Sequence, residues 1–132
     1  MPPKIAAEFT ITGTSVLPDE ITKALGVTPS STWRMSDTHI PVLQRKHNGW
    51  CISTGYQKDF DLEKYARQVL DVLLPKSETI TTFCQNNGLD CELSLIAYVI
   101  DETPSTTFGK ELVSDLAKLN ASLDIDIILT TG

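Results

Sequence analysis

Apolar and polar residues alternate along segments at the two ends of the chain, as they do in half-buried strands. In Glu8–Thr14, Phe9 and Ile11 fall on one side, and the segment Leu123–Thr130 repeats the pattern with four apolar residues opposite two aspartates. A third segment, Cys91–Ile100, is apolar on both sides, which is typical of a strand with neighbours on each edge. The pattern therefore predicts at least three strands.

Between these segments the apolar residues change to helical spacing. Helices are predicted after Pro18, after Asp61, after Ser77 and before Asn120. The longest has a complete buried stripe, formed by Leu62, Tyr65, Ala66, Val69, Leu70 and Leu73. Gly26 and Gly88 follow two of these helices and suit the left-handed residue at which helices end.

The dipeptide Asn48-Gly49 separates two β-compatible runs, Ile40–Lys46 and Trp50–Tyr56. Both residues tolerate the positive φ of a type I′ turn, so the sequence predicts a β-hairpin with its turn at Asn48-Gly49. Pro41 would place the first of these strands at an edge of the sheet.

The order of elements predicts an α+β fold in one domain, residues 1–132. We expect a single mixed or antiparallel sheet of about five strands with helices on one face, ferredoxin-like in character. A weak internal sequence similarity supports this expectation, because the helix Glu20–Gly26 after the first strand resembles the helix Glu111–Asn120 before the last strand.

Several segments also resemble a known family. They are Phe9–Gly13, Pro18–Pro29, Trp33–Asp37, Gly49-Trp50 with Ser53-Thr54, and Leu119–Ile127. In order and spacing they are similar to a bacterial family described as domain of unknown function 4279. The resemblance implies the same single-domain fold and brings no known reaction or catalytic residue with it.

Charge is divided unevenly along the chain. Residues 1–76 contain nine Lys/Arg and eight Asp/Glu, a balance of +1, whereas residues 77–132 contain two and nine, a balance of −7. With a pI near 4.7, the chain is a poor candidate for nucleic-acid binding, which depends on clustered basic residues. A basic protein is the partner that such a field would attract.

The sequence gives no indication of membrane insertion or export. The longest nearly apolar run, Leu93–Ile100, is too short to span a bilayer, and the first residues have no apolar leader core. The chain has three cysteines, an odd number without Cys-x-x-Cys spacing, which we interpret as reduced thiols. We therefore expect a cytoplasmic protein.

The main functional hypothesis is a non-catalytic binding module, such as an immunity or antitoxin-like protein that covers the basic site of a toxin. Its expected footprint is acidic, and it consists of Glu92, Asp101, Glu102, Asp115, Asp124 and Asp126. The simpler interpretation of these residues is a solvated polar surface whose charges prevent pairing between sheet edges.

The alternative hypothesis is a small-ligand binding protein or minor enzyme. Trp33 and Trp50 would form aromatic walls, and Arg34 and Asp37 would bind a planar or anionic ligand. The simpler interpretation is that Trp33 closes the open end of the core while Arg34 pairs with Asp37 to hold the loop. A third possibility is self-association through the Ile40–Lys46 edge.

No motif indicates a cofactor, a metal site or catalysis. Asp124 and Asp126 lie two positions apart on one strand face, but a metal would need further oxygen ligands nearby. His47 and Cys51 are close in sequence, yet a reactive cysteine requires a lowered pKa and an orienting group that the sequence does not indicate.

Overall fold

The sheet is built around β1 (Lys4–Gly13), which contains the alternating segment predicted at Glu8–Thr14. The computed structural model describes residues 1–35 and 46–131. On one side of β1 the side chains are fully buried beneath helices, whereas Glu8, Thr10 and Thr12 on the other side are partly exposed. We refer to these two sides of the sheet as the covered face and the open face.

Within the described residues the sheet has six strands. The other five are β2 (Ser31–Trp33), β3 (Asn48–Ser53), β4 (Gln57–Lys58), β5 (Asp90–Val99) and β6 (Ser122–Leu129). The strand order is β2-β3-β1-β5-β6, and the short β4 pairs with the start of β1. β5 and β6 run parallel, and every other pair is antiparallel, so the sheet is mixed as predicted.

The helices in the described part of the chain are α1 (Pro18–Leu25), α2 (Leu62–Leu73), α3 (Ser77–Asn87) and α4 (Lys110–Lys118). Their buried residues form one cluster with the covered face of the sheet. The stripe predicted for α2 is confirmed, since all six of its residues are buried. Asp61 caps this helix by accepting a hydrogen bond from the backbone N–H of Lys64 at 3.2 Å.

The α+β class and the ferredoxin-like character are confirmed. In the first unit, α1 connects β1 to β2, and β3 lies between these two strands in the sheet. In the second unit, α2 and α3 connect β3 to β5, and β1 lies between those two strands. These two interleaved units are the split βαβ arrangement of ferredoxin-like folds. The second unit does not contain the helix at Glu111–Asn120 that the internal sequence similarity suggested. That helix, α4, and β6 instead form an addition beside β5.

The predicted turn at Asn48-Gly49 is wrong. Both residues lie inside β3, where they pair with Gly13 and Thr12 of β1 and have no positive φ. The Asn48 side chain is buried, and it donates a hydrogen bond to the carbonyl of Val16 at 2.9 Å, which holds it in the sheet. Local turn propensity is therefore overridden by tertiary hydrogen bonds. The first strand predicted for the hairpin, Ile40–Lys46, lies almost entirely outside the described residues.

Candidate functional site

Carboxylates from three adjacent strands point to the open face of the sheet. We define the acidic cluster as Glu8, Asp90, Glu92, Asp124 and Asp126. The strand register aligns Glu8 with Ser94 and Ser94 with Asp124, so one row of the open face crosses from β1 to β6. Side chains in such a row are close neighbours across strands. The five carboxylates therefore form a patch on one face of three adjacent strands, in which Asp126 and Glu92 act on Asp124 and Ser94 lies between Asp124 and Glu8.

The neighbouring carboxylates change the pKa of Asp124. The neighbouring carboxylate of Asp126 raises the pKa of Asp124 above its usual range, because the pair can share a proton, and Glu92 adds to the effect. Within residues 1–35 and 46–131, no lysine or arginine forms an ion pair with any carboxylate of the acidic cluster. The negative field of the patch is therefore directed to solvent.

The polar contacts of the cluster come from neutral donors. Ser94 Oγ donates to Glu92 Oε1 at 2.9 Å, and Cys51 Sγ donates to Glu8 Oε2 at 3.4 Å. Burial raises the pKa of the Cys51 thiol to about 11, with Glu8 contributing. The thiol is therefore protonated at neutral pH and does not supply the thiolate that nucleophilic catalysis with His47 would need.

An exposed apolar edge lies beside the acidic cluster. β6 pairs only with β5 among the described strands, so its outer edge has unpaired backbone groups. The residues of β6 on the covered face are nevertheless exposed. They are Leu123, Ile125, Ile127 and Leu129, with exposed fractions of 39%, 38%, 40% and 78%. A sheet edge with exposed apolar residues is a surface at which another chain can pair.

The structure brings together three of the six residues in the expected acidic footprint, namely Glu92, Asp124 and Asp126. Asp101 and Glu102 follow the far end of β5, where both accept hydrogen bonds from the N-terminal ammonium group of Met1, at 3.1 and 3.3 Å. These two carboxylates are separate from the acidic cluster and are partly neutralised.

Asp115 also lies apart from the cluster, on α4. Arg67 of α2 donates a hydrogen bond to its carboxylate at 2.7 Å, and Lys118 forms a second ion pair at 3.4 Å. The Arg67 guanidinium lowers the pKa of Asp115 below its usual range. This aspartate links two helices, and its charge is largely compensated.

Glu8 and Asp90 also belong to the cluster, although they are not among the acidic residues predicted from the sequence. Glu8 lies in the nearly neutral front part of the chain, and only strand pairing places it beside Ser94 of β5. The alternation of β1 did contain the necessary signal, because Glu8 falls between the buried residues Ala7 and Phe9 and must face the open side.

The two tryptophans of the proposed ligand pocket lie on opposite faces of the sheet. Trp50 is fully buried on the covered face, where its Nε1 donates to Thr22 Oγ1 at 3.0 Å. Trp33 is half-buried and packs on Gly49, which lies directly opposite it in β3 and one position before Trp50. They do not form two walls of one pocket, because adjacent positions of a strand face opposite sides.

Arg34 is directed toward α1, where its guanidinium lies 3.9 Å from the carboxylate of Asp19. Asp37, the remaining residue of that expected pocket, lies outside the described residues.

The fold and the open face define a small ferredoxin-like domain with an acidic sheet surface. The chain belongs to a family described as a domain of unknown function (DUF4279), which matches residues 3–130. Comparison with curated proteins and with solved structures gave no match.

No helix in the described part of the chain is both long and apolar enough to cross a membrane. In the same residues, no group of three or more His, Cys, Asp or Glu side chains is arranged to hold a metal ion.

Proposed function

We propose that this domain is a non-catalytic binding module that binds a basic partner protein through the acidic cluster. More specifically, we propose that it is an immunity or antitoxin-like protein that acts in the cytoplasm and covers the basic active site of a toxin. The observation that supports it most is the grouping of Glu92, Asp124 and Asp126 on one open sheet face without compensating cations in the described chain.

Electrostatics gives this arrangement its expected role. Like charges held close together raise the free energy of the unbound domain, and a basic surface relieves that repulsion. A concentrated field also accelerates encounter with an oppositely charged macromolecule, and salt screens the effect. We therefore expect binding that is fast and strongly dependent on ionic strength.

The apolar edge of β6 favours a protein partner over a simple cation. Protein interfaces combine an apolar centre with a charged or polar rim. Leu123, Ile125 and Ile127 of β6 lie on the covered face and Asp124 and Asp126 lie on the open face, so a partner chain that pairs with the outer edge of β6 would contact both kinds of residue.

The alternative of a small-ligand protein or enzyme at Trp33, Arg34, Asp37 and Trp50 has less support. Its two aromatic residues are separated by the sheet, and the Trp50 ring is already enclosed in the core.

The experiment compares two charge-reversed proteins with the same net charge. In one, Asp124→Lys and Asp126→Lys change the acidic cluster; in the control, Glu78→Lys and Glu111→Lys change exposed helix residues. Binding of fluorescein-labelled decalysine is measured by anisotropy at low and physiological ionic strength. We expect the cluster variant to lose at least about tenfold in affinity and the control much less. Equal losses in both variants would show that only net charge matters and would contradict the proposed site.

A further inference from the structure

A concave surface lies at the other end of the open face, away from Asp90 and Glu92. It is a groove of about 600 Å³, formed mainly by Pro2, Lys4, Tyr56, Lys58, Tyr98 and Ile100. Its volume is within the range of small-molecule sites, which are typically apolar with a few converging polar groups.

The walls of the groove are aromatic. The rings of Tyr56 and Tyr98 have centroids 5.5 Å apart and are tilted by 55°. Their exposed fractions are 44% and 37%, so a substantial part of each ring faces the groove and solvent. Exposed aromatic surface of this kind binds planar rings by stacking and by excluding water.

Two lysines lie on the same row of the sheet. Lys4 of β1 is directly opposite Lys58 of β4, and Tyr98 of β5 is directly opposite Lys4 on its other side. Like charges directly opposite each other destabilise a sheet. Among residues 1–35 and 46–131, neither lysine has a carboxylate within ion-pair distance, so no ion pair in the described chain compensates these two charges.

The acidic residues nearest the groove are already engaged. Asp101 and Glu102 accept hydrogen bonds from the Met1 ammonium group, another residue at the groove. Of the acidic cluster, Glu8 lies four positions from Lys4 along β1, about 13 Å at the rise of an extended strand, although its charge, after burial and the Tyr98 hydroxyl, helps to raise the pKa of Tyr56. At physiological ionic strength that distance exceeds the screening length of about 8 Å.

We propose that this groove binds a small organic anion with a planar aromatic ring, such as an aromatic carboxylate. The anionic group lies between Lys4 and Lys58, and the ring packs against Tyr56 and Tyr98. The ligand therefore removes the repulsion between the lysines and covers the exposed tyrosine surface. This site is separate from the acidic cluster and does not depend on the function proposed for it.

The test uses 2-naphthoate as the probe and 2-naphthamide as its neutral counterpart of similar shape. Each is titrated into the ¹⁵N-labelled full chain while amide chemical shifts are recorded. We expect saturable shifts at Lys4, Lys58 and Tyr98 with naphthoate, and at least about tenfold weaker binding of the amide. Absence of saturable shifts at these residues, or equal affinity for the two probes, would overturn the proposal.

Matched variants test the two lysines directly. Lys4→Gln and Lys58→Gln should each weaken naphthoate binding by about three- to tenfold, whereas Lys76→Gln, at an exposed position after α2, should leave it unchanged. All three residues are exposed, so the variants should retain the dispersed spectrum of the folded protein. Unchanged binding in both groove variants, or the same loss in Lys76→Gln, would contradict the assignment.

Discussion

The indole of Trp33 lies directly on the backbone of Gly49, the residue opposite it in the neighbouring strand. A Cβ atom at Gly49 would be 2.0 Å from ring atoms Cε2 and Cζ2 of Trp33. Glycine is therefore required at this position by the approach of an aromatic ring rather than by a turn. The contact packs β2 against β3 and places Gly49 inside a strand rather than at a turn.

This relationship predicts that Gly49→Ala destabilises the protein by about 1–3 kcal/mol, because the added methyl group displaces a rigid ring. Urea unfolding measures the change in the free energy of unfolding. The same substitution in a Trp33→Ala background should cost much less, since the obstructing ring is gone. A cost that is equal in the two backgrounds would show that the contact is not its cause.

The two tryptophans should differ strongly in solvent access. In Trp33→Phe the remaining Trp50 is fully buried, so its emission should be blue-shifted and poorly quenched by acrylamide. In Trp50→Phe the remaining Trp33 is half-buried and should be quenched more readily. Equal quenching of the two single-tryptophan proteins would contradict their placement on opposite faces.

Trp50→Phe should also destabilise the protein by about 2 kcal/mol, because it removes core volume and the hydrogen bond from Nε1 to Thr22 Oγ1. Urea unfolding of this variant beside Trp33→Phe provides the comparison. A loss no larger than in Trp33→Phe would indicate that Trp50 is not the better-packed ring.

The acidic cluster has a titration signature. Asp126 and Glu92 raise the pKa of Asp124, so Asp126→Asn should return the pKa of Asp124 toward that of an ordinary aspartate. Carboxyl ¹³C NMR titration measures this directly.

A folded-state pKa of Asp124 above the unfolded value means that protonation of Asp124 favours the folded state. Stability should therefore decrease as pH rises through the pKa of Asp124, and Asp126→Asn should reduce that loss. An unchanged pKa of Asp124 in this variant would show that the two carboxylates do not interact.

Asp59 should have the opposite effect on stability. A hydrogen bond from Lys64, together with those from the Phe60 amide and the Tyr65 hydroxyl, lowers the pKa of Asp59 from 3.8 to about 2. Its contribution is complete above the unfolded pKa and is lost as pH falls from about 4 to about 2.

Asp59→Asn should therefore be less stable than wild type near neutral pH, with a smaller further loss on acidification through that range. Urea midpoints across pH measure the difference. The exposed residue Glu78 provides the control Glu78→Gln, which should follow the wild-type profile. Parallel profiles for wild type and Asp59→Asn would contradict the role given to Asp59.

Local patterns predicted the helices and the strands β1, β5 and β6, because each depends on neighbours in sequence, but they did not predict the short strands β2 and β4. The stripe of α2, the cap at Asp61 and the glycine that ends α1 all follow from periodicity and backbone geometry. The Asn48-Gly49 dipeptide is different, since hydrogen bonds to residues far away in sequence decide its conformation. Sequence propensity does not contain that information.

The candidate site could be predicted only in part for the same reason. Alternation along β6 placed Asp124 and Asp126 on one face correctly. The pairing of Asp115 with Arg67 joins residues on two helices, and the position of Glu8 depends on strand order. Counting charges along the chain therefore included Asp115, whose charge is largely compensated, and omitted Glu8.

The most direct test of the acidic cluster as a binding surface is a map of amide chemical shifts during titration of the ¹⁵N-labelled chain with unlabelled decalysine. We expect the largest shifts at Glu8, Asp90, Glu92, Asp124, Asp126 and their neighbours on β1, β5 and β6, and we expect added salt to reverse them. Shifts concentrated at Asp101 and Glu102 or at Asp115, or spread evenly over the surface, would contradict it.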